Sequence, residues 1–383
     1  MTPVSDDRPA DLSRPRRDAG RSRARSGRRA ACLAVFLGAL LTATAFTTPA
    51  RADDSSVDPV TPPAVDPVVS PAYDNTPLRF ITYNAGAAVS VKGAQADLRA
   101  LMAKQPSIVG LQEFASGPKR AWVRSTFVDC ETCHYGGYMP APAVPGGTPI
   151  LYDARRFRLL RSGTVQVTKD TFVGQAGAGP ATIRAKFINW ITVRDLATGR
   201  SFSVLNNHAV PTVQGKGGGA NRRMPKRLAI YSKHMAGLAA LITQLREDGG
   251  GSVFVLGDFN VNYRLDRQVK DPVFPYAHLT PLGLAANWER LGLPSRGTHT
   301  LKGGNDTRLI DYVWSDQRAM LTPLTQEILE GFRSDHRPVV VTFQLSRLKG
   351  YTPPTEEDST DAETPPPVVT PPDGTAPDDS VRG

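Results

Sequence analysis

The chain has 383 residues, 33 of them Pro and 34 Gly, and a net charge of +10. Its length leaves room for two domains, but both ends are too polar and Pro-rich to fold, so the sizeable core must come from the middle. That middle, 78–350, holds 35 basic and 19 acidic residues, a net of +16 that the flanks hide; so basic a domain either captures polyanions or simply carries a solvated surface.

Residues 1–52 are predicted to be a signal peptide. An Arg-rich stretch, 14–29, precedes an apolar run, 30–46, and Ala50-Arg51-Ala52 fits the small-x-small cleavage pattern. The apolar run is shorter than the roughly 20 residues that span a bilayer, and no other segment is long and apolar enough. The chain is therefore expected to be exported, cleaved near Ala52 and extracellular; Arg28-Arg29 hints at twin-Arg export. The Pro-, Val- and Asp-rich residues 53–77 read as an extended linker. The acidic Thr-Pro-Pro repeats of 351–383 read as a disordered tail. Between them lies the one segment expected to fold, 78–350, which is expected to act as a monomer. Cys130 and Cys133 are expected to form a disulfide in an exported protein. With His134 they also match a haem-attachment string, and a zinc site would need two further ligands.

Within the domain, short apolar strands alternate with helical patches and turns, and no internal repeat is readable. Helices are predicted at 92–105 and 226–247, the second ended by Gly249-Gly250-Gly251. Several strands run into polar residues unsuited to a core. Residues 78–83 lead into Asn84, 107–112 into Glu113, 201–205 into Asn206-Asn207-His208, and 252–257 into Asp258-Phe259-Asn260. Residues 308–310 precede Asp311, and Ser334-Asp335-His336 leads into 339–343. A sheet fold that brings such ends together assembles a site from distant segments.

The set delivered is four carboxylates (Glu113, Asp258, Asp311, Asp335), two histidines (His208, His336) and two amides (Asn84, Asn260). No Ser or Cys nucleophile elbow and no Gly-rich phosphate loop is present. Oxygen-rich ligands suit a hard cation, Mg²⁺, Mn²⁺ or Ca²⁺. Such a set favours metal-assisted attack of water on phosphorus over a covalent intermediate. Beyond His208, the Gly-rich stretch 214–227 carries Lys216, Arg222 and Arg223, which could clamp a phosphate backbone or stay solvated.

In order along the chain, Asn84, Leu111-Gln112-Glu113, Asn207-His208, Gly257-Asp258-Phe259-Asn260, Ile310-Asp311-Tyr312-Val313 and Ser334-Asp335-His336-Arg337-Pro338 resemble the motifs of the endonuclease/exonuclease/phosphatase superfamily. The resemblance implies an α+β, DNase I-like four-layer sandwich: two packed, mainly antiparallel sheets flanked by helices. It implies Glu113 as main metal ligand with Asn84 beside it, and Asp335 binding or orienting a metal. Asp258 would orient or deprotonate the attacking water and Asn260 position it. His336 would hydrogen-bond the phosphate, Asp311 would hold its imidazole, and His208 would stabilise pentacoordinate phosphorus or protonate the leaving oxygen. The chain lacks the Tyr-x-Pro of abasic-site endonucleases and the Pro-Ala-Trp-x-Asp-Arg of inositol polyphosphate phosphatases. The expected function is a nuclease acting on DNA or RNA. A sphingomyelinase-like lipid phosphodiesterase and a non-enzymatic extracellular binding protein are the alternatives.

Overall fold

The computed structural model describes residues 77–141, 144–174, 181–300, 307–317 and 320–353. The segment expected to be a signal peptide, and almost all of those expected to be a linker and a tail, lie outside them. Fourteen strands follow one another: β1 (Leu78–Asn84), β2 (Ile108–Gln112), β3 (Tyr135–Tyr138), β4 (Ile150–Asp153), β5 (Phe157–Thr168), β6 (Thr171–Phe172), β7 (Thr182–Ile183), β8 (Lys186–Asp195), β9 (Ser201–His208), β10 (Ser252–Asp258), β11 (Leu284–Ala286), β12 (Asp311–Asp316), β13 (Leu321–Ile328) and β14 (Val339–Leu345). The helices are α1 (Val91–Met102), α2 (Gly117–Val123), α3 (Pro225–Glu247), α4 (Tyr263–Val269), α5 (Pro275–Leu279) and α6 (Asn287–Arg290).

Two six-stranded sheets form, in the orders β13-β14-β1-β2-β4-β3 and β11-β12-β10-β9-β8-β5, with β6 and β7 as a separate ribbon. Each sheet is antiparallel except for one central pair, β1 with β2 and β9 with β10. A parallel pair needs a crossover, and α1 and α3 supply them. The two sheets therefore share one plan, with no repeat visible in the sequence.

Ser90 caps α1 by accepting a 3.1 Å hydrogen bond from the Gly93 N–H. Its buried face of Leu98, Leu101 and Met102 packs on the outer side of the first sheet, against Ile81, Val109 and Leu111. Pro225 opens α3. Its apolar face, including Met235, Leu238 and Ile242, covers the second sheet. The layers run helix, sheet, sheet, helix: the α+β sandwich of the expectation. Between the sheets Phe80 stands 4.4 Å from the Phe254 ring, 5.5 Å from Phe343 and 5.9 Å from Phe202.

Strand period explains what happens at the far end of this core. Alternate residues share a face, so the inner rows read Phe80-Thr82-Asn84, Ile108-Gly110-Gln112, Phe202-Val204-Asn206-His208 and Phe254-Leu256-Asp258. Each row is apolar where its strand begins and polar where it ends. Both parallel pairs end in that polar layer. Cys130 and Cys133 are joined by a disulfide in the turn before β3. No described helix is long and apolar enough to cross a membrane.

Candidate active site

The polar ends meet across the seam between the sheets. Asn84, at the end of β1, donates through Nδ2 to Asp258 Oδ2 on the other sheet at 3.1 Å and to Glu113 Oε1 at 3.4 Å. Glu113 follows β2 with a left-handed backbone, φ 56°, and its Oε2 accepts from the Ala87 N–H at 2.7 Å. Asn260 is also left-handed, at φ 55°. Its N–H and Nδ2 both donate to the Asp258 carboxylate, at 2.8 and 3.1 Å. Left-handed residues other than Gly cost on the order of 1–3 kcal/mol and persist where the surroundings hold them.

Asp311 faces Asp258 in the register of β10 and β12. Its carboxylate is fully buried and lies 2.9 Å from His336 Nδ1, while the other ring nitrogen of His336 points at Asp258 Oδ2, 3.8 Å away. Burial alone would lower the His336 imidazole, but Asp311 and Asp258 outweigh it and push it up to about 10. Burial, with Asp311 close by, pushes the Asp258 carboxyl up to about 7 against the opposing pull of His336. His208 Nε2 lies 3.5 Å from Asp258 Oδ2 and 3.8 Å from Glu113 Oε1. Burial and the nearby cations Lys186 and His336 hold its imidazole well below the usual range, so it is neutral at pH 7.

These groups open onto a cleft of about 480 Å³, lined among others by Glu113, Lys186, His208, Asp258, Asn260 and His336. Asp335 is placed differently. Its exposed carboxylate turns to His299, 3.5 Å from Nε2, and this pairing holds its pKa low, at about 2. Lys216, Arg222 and Arg223 are exposed on a loop tied to Asp271 through the Ala220 N–H, and none of them lines the cleft.

Oxygen donors for a hard cation are present at the mouth. Glu113 is one-third exposed there with Asn84 and Asp258 adjoining, which fits the expected hard-ion chemistry. Asp258, Asp311 and His336 also offer ligand atoms within 4.8 Å of one another, as do His299, Asp335 and His336. In both groups, however, His336 Nδ1 is already committed to Asp311.

Three features escape a reading of the sequence. Lys186, whose backbone N–H donates to Thr168 Oγ1 at the start of β8, lines the cleft; nothing around it forms a motif. Burial lowers the half-buried Arg308 guanidinium from its ordinary value, against the opposing pull of Asp258 and Asp311 close by. Gln112 and Asn206 lock the two sheets together beneath the site. Gln112 Nε2 donates to Asn206 Oδ1 at 2.7 Å and to Thr82 Oγ1 at 3.1 Å, and Asn206 Nδ2 donates to the Leu111 and Pro149 carbonyls. Their places at strand ends were visible, but not that they face each other.

Two like-built sheets, with a carboxylate, amide and histidine site at the seam of their parallel pairs, make a fold that this chain shares with solved structures of other proteins. No family model matches the chain, and no curated protein matches it by sequence. Among solved structures, the human Nocturnin catalytic domain with bound sulfate is similar over 70% of this chain and 95% of its own, at 19% identity and a TM-score of 0.50. D. rerio TDP2 complexed with single-strand DNA product is similar over 70% of this chain and 99% of its own, at 16% identity and a TM-score of 0.50. An endonuclease/exonuclease/phosphatase family protein from Bacteroides thetaiotaomicron covers 72% of this chain and 100% of its own, at 17% identity and a TM-score of 0.49.

Proposed function

We propose that the chain is a secreted, divalent-metal-dependent phosphodiesterase that cleaves DNA or RNA by attack of water on phosphorus. One observation carries the reading: Glu113, His208, Asp258, Asn260 and His336 line a single cleft, with Asn84 and Asp311 hydrogen-bonded behind them. Asp258, with a pKa near neutrality, is suited to take a proton from water. Asn260, bonded to that carboxylate, orients the water beside it. His336, positively charged and held by Asp311, donates to a phosphate oxygen where negative charge grows. Neutral His208 donates a hydrogen bond on the Glu113 side. Lys186 adds a positive charge that holds the phosphodiester in the cleft. Glu113 and Asn84 would hold the metal ion. A hard divalent cation there neutralises phosphate charge and acidifies water. The basic balance of 78–350 supports a polyanionic substrate, and TDP2, which has the same fold, has been solved with a single-strand DNA product.

The test is hydrolysis of a panel of DNA, RNA, sphingomyelin and small diesters with Mg²⁺, Mn²⁺ and Ca²⁺. Cleavage of nucleic acid is expected, abolished by chelator and reduced about 10²- to 10⁴-fold in His336→Ala. Phosphocholine release as the dominant activity would move the substrate to lipid. Inertness on every diester with every metal would overturn the enzymatic reading.

A further inference from the structure

Across the β6–β7 ribbon from the cleft lies a second depression, a groove of about 520 Å³ between the end of β5 and the start of α3. Three exposed lysines line it, Lys169, Lys226 and Lys233, beside Thr168 and Thr171. Among the described residues, no carboxylate lies within ion-pair distance of Lys169 or Lys233. The neighbouring acid, Asp170, is taken by Arg184 at 2.9 Å and by the Ala185 N–H at 2.7 Å. Like charges collected in one groove repel each other unless an anion joins them. Lys226 donates to the Phe172 carbonyl at 3.1 Å and stands 5.5 Å above the Phe172 ring, which is 65% exposed.

The groove and the cleft share a wall. Thr171 pairs with Ile183 and Phe172 with Thr182, and Thr182 and Ile183 line the cleft. The wall is two strands thick, and paired strands lie only about 5 Å apart. A flexible polyanion with one phosphate in the cleft therefore reaches the lysines by crossing the ribbon, past an exposed aromatic ring. A basic groove that tracks a backbone, next to an aromatic on which a base can stack, is the chemistry of single-strand binding. Bases locked in a duplex offer no free face to Phe172.

We propose that the groove of Lys169, Lys226 and Lys233 is an auxiliary site for the backbone of a single-stranded nucleic acid whose scissile phosphate lies in the cleft, with Phe172 stacking on a base where the strand crosses the ribbon. The assignment rests on the phosphodiesterase reading of the cleft. Labelled DNA and RNA strands of about 12 nucleotides, long enough for one such site, are titrated against the full chain in EDTA, where nothing is cut. The K169A/K226A/K233A variant is expected to bind about tenfold or more weakly, with a salt slope lower by about 2, from three phosphate contacts at roughly 0.7 each. F172A is expected to bind about fivefold or more weakly, and K169R/K226R/K233R to keep the wild-type affinity. Cleavage of bis(4-nitrophenyl) phosphate, too small to leave the cleft, is expected to stay within about twofold in every variant.

An unchanged affinity and salt slope in K169A/K226A/K233A would overturn the assignment. So would lysine variants that weaken binding to phosphatidylserine vesicles and leave oligonucleotide binding intact, because the surface would then dock on lipid. If the wild-type chain cleaved no diester but the lysines still governed strand binding, the catalytic reading would fail and the strand-binding groove would stand.

Discussion

The His336 ring shows how one residue's role depends on its two neighbours. With Nδ1 on Asp311 and Nε2 toward Asp258, it stays protonated to about pH 10, while Asp258 loses its proton near pH 7. Asp258 must be ionised to accept a proton, so kcat/KM should rise as pH climbs through about 7. His336 must be charged to donate, so kcat/KM should fall as pH passes about 10. Asp311→Asn removes the charge that raises His336, and the falling limb should move down toward the ordinary histidine value of about 6.5. A pH–rate profile on a small diester checks this; an unmoved upper limb in Asp311→Asn would contradict it. Lys186 makes a second case. Lys186→Ala should raise KM about tenfold through loss of a phosphate-facing charge, with Lys186→Arg close to wild type. Equal KM values for Lys186→Ala and wild type would remove it from the site.

At the scale of elements, what the sequence disclosed was the ends of strands. Asn84, Glu113, His208 and Asp258 stand out because a polar residue closing an apolar run has to go somewhere, and Asp311 because it opens one. Period two shows the face of Asn84, His208 and Asp258, whereas Glu113 is out of phase with the inner row of its strand and has a left-handed backbone. Both long helices lay open for the same reason, since their apolar spacing runs unbroken to a cap or a Gly turn. What could not be read is pairing: nothing in the residues around Lys186 or Gln112 says which strand lies alongside. Asp335 marks a related limit, because nothing in the sequence around it shows that its carboxylate pairs with His299. Asp266 on α4 yields a prediction at this scale. It is fully buried, its Oδ2 accepts from the Tyr276 N–H, and its Oδ1 has no partner among the described residues. Burial pushes its carboxyl up to about 7. A carboxyl raised on folding binds its proton more tightly in the native state, so its stabilising contribution is full below its unfolded value of about 3.9. That contribution is lost as pH rises toward 7. Asp266→Asn keeps the acceptor and removes the charge. Between pH 5 and 8 the wild type should lose on the order of 1–3 kcal/mol more stability than this variant, measured as urea midpoints. Parallel pH dependence in the two proteins would refute the argument.

For the molecule as a whole, the site is a seam rather than a pocket carved in one layer. Asn84 and Glu113 come from the first sheet, and His336 from the segment entering its β14. His208, Asp258 and Asp311 come from the second sheet. The cross-sheet contacts in the site, Asn84 to Asp258, His208 to Glu113, and His336 to Asp311 and Asp258, therefore depend on how the sheets are aligned. Two layers fix that alignment. One is the Phe80, Phe202, Phe254 and Phe343 cluster, which is apolar and has no directional preference beyond shape. The other is the Gln112–Asn206 lock, which is directional and sits directly under the site. The two should separate stability from catalysis. Phe80→Leu should cost about 1 kcal/mol and leave kcat nearly unchanged, because neighbouring side chains can close around a smaller apolar group. Asn206→Ala leaves Gln112 Nε2 without its shortest acceptor and two buried carbonyls without that donor, each worth roughly 1–3 kcal/mol. It also frees the sheets to slide by fractions of an ångström. Misplacement of that size at reacting groups costs up to about 10²-fold, so kcat in Asn206→Ala should fall well beyond what the unfolded fraction explains, at temperatures far below its melting point. If Asn206→Ala proved merely unstable, with the kcat of Phe80→Leu once corrected for folded protein, the alignment of the sheets would have to rest on the aromatic core instead.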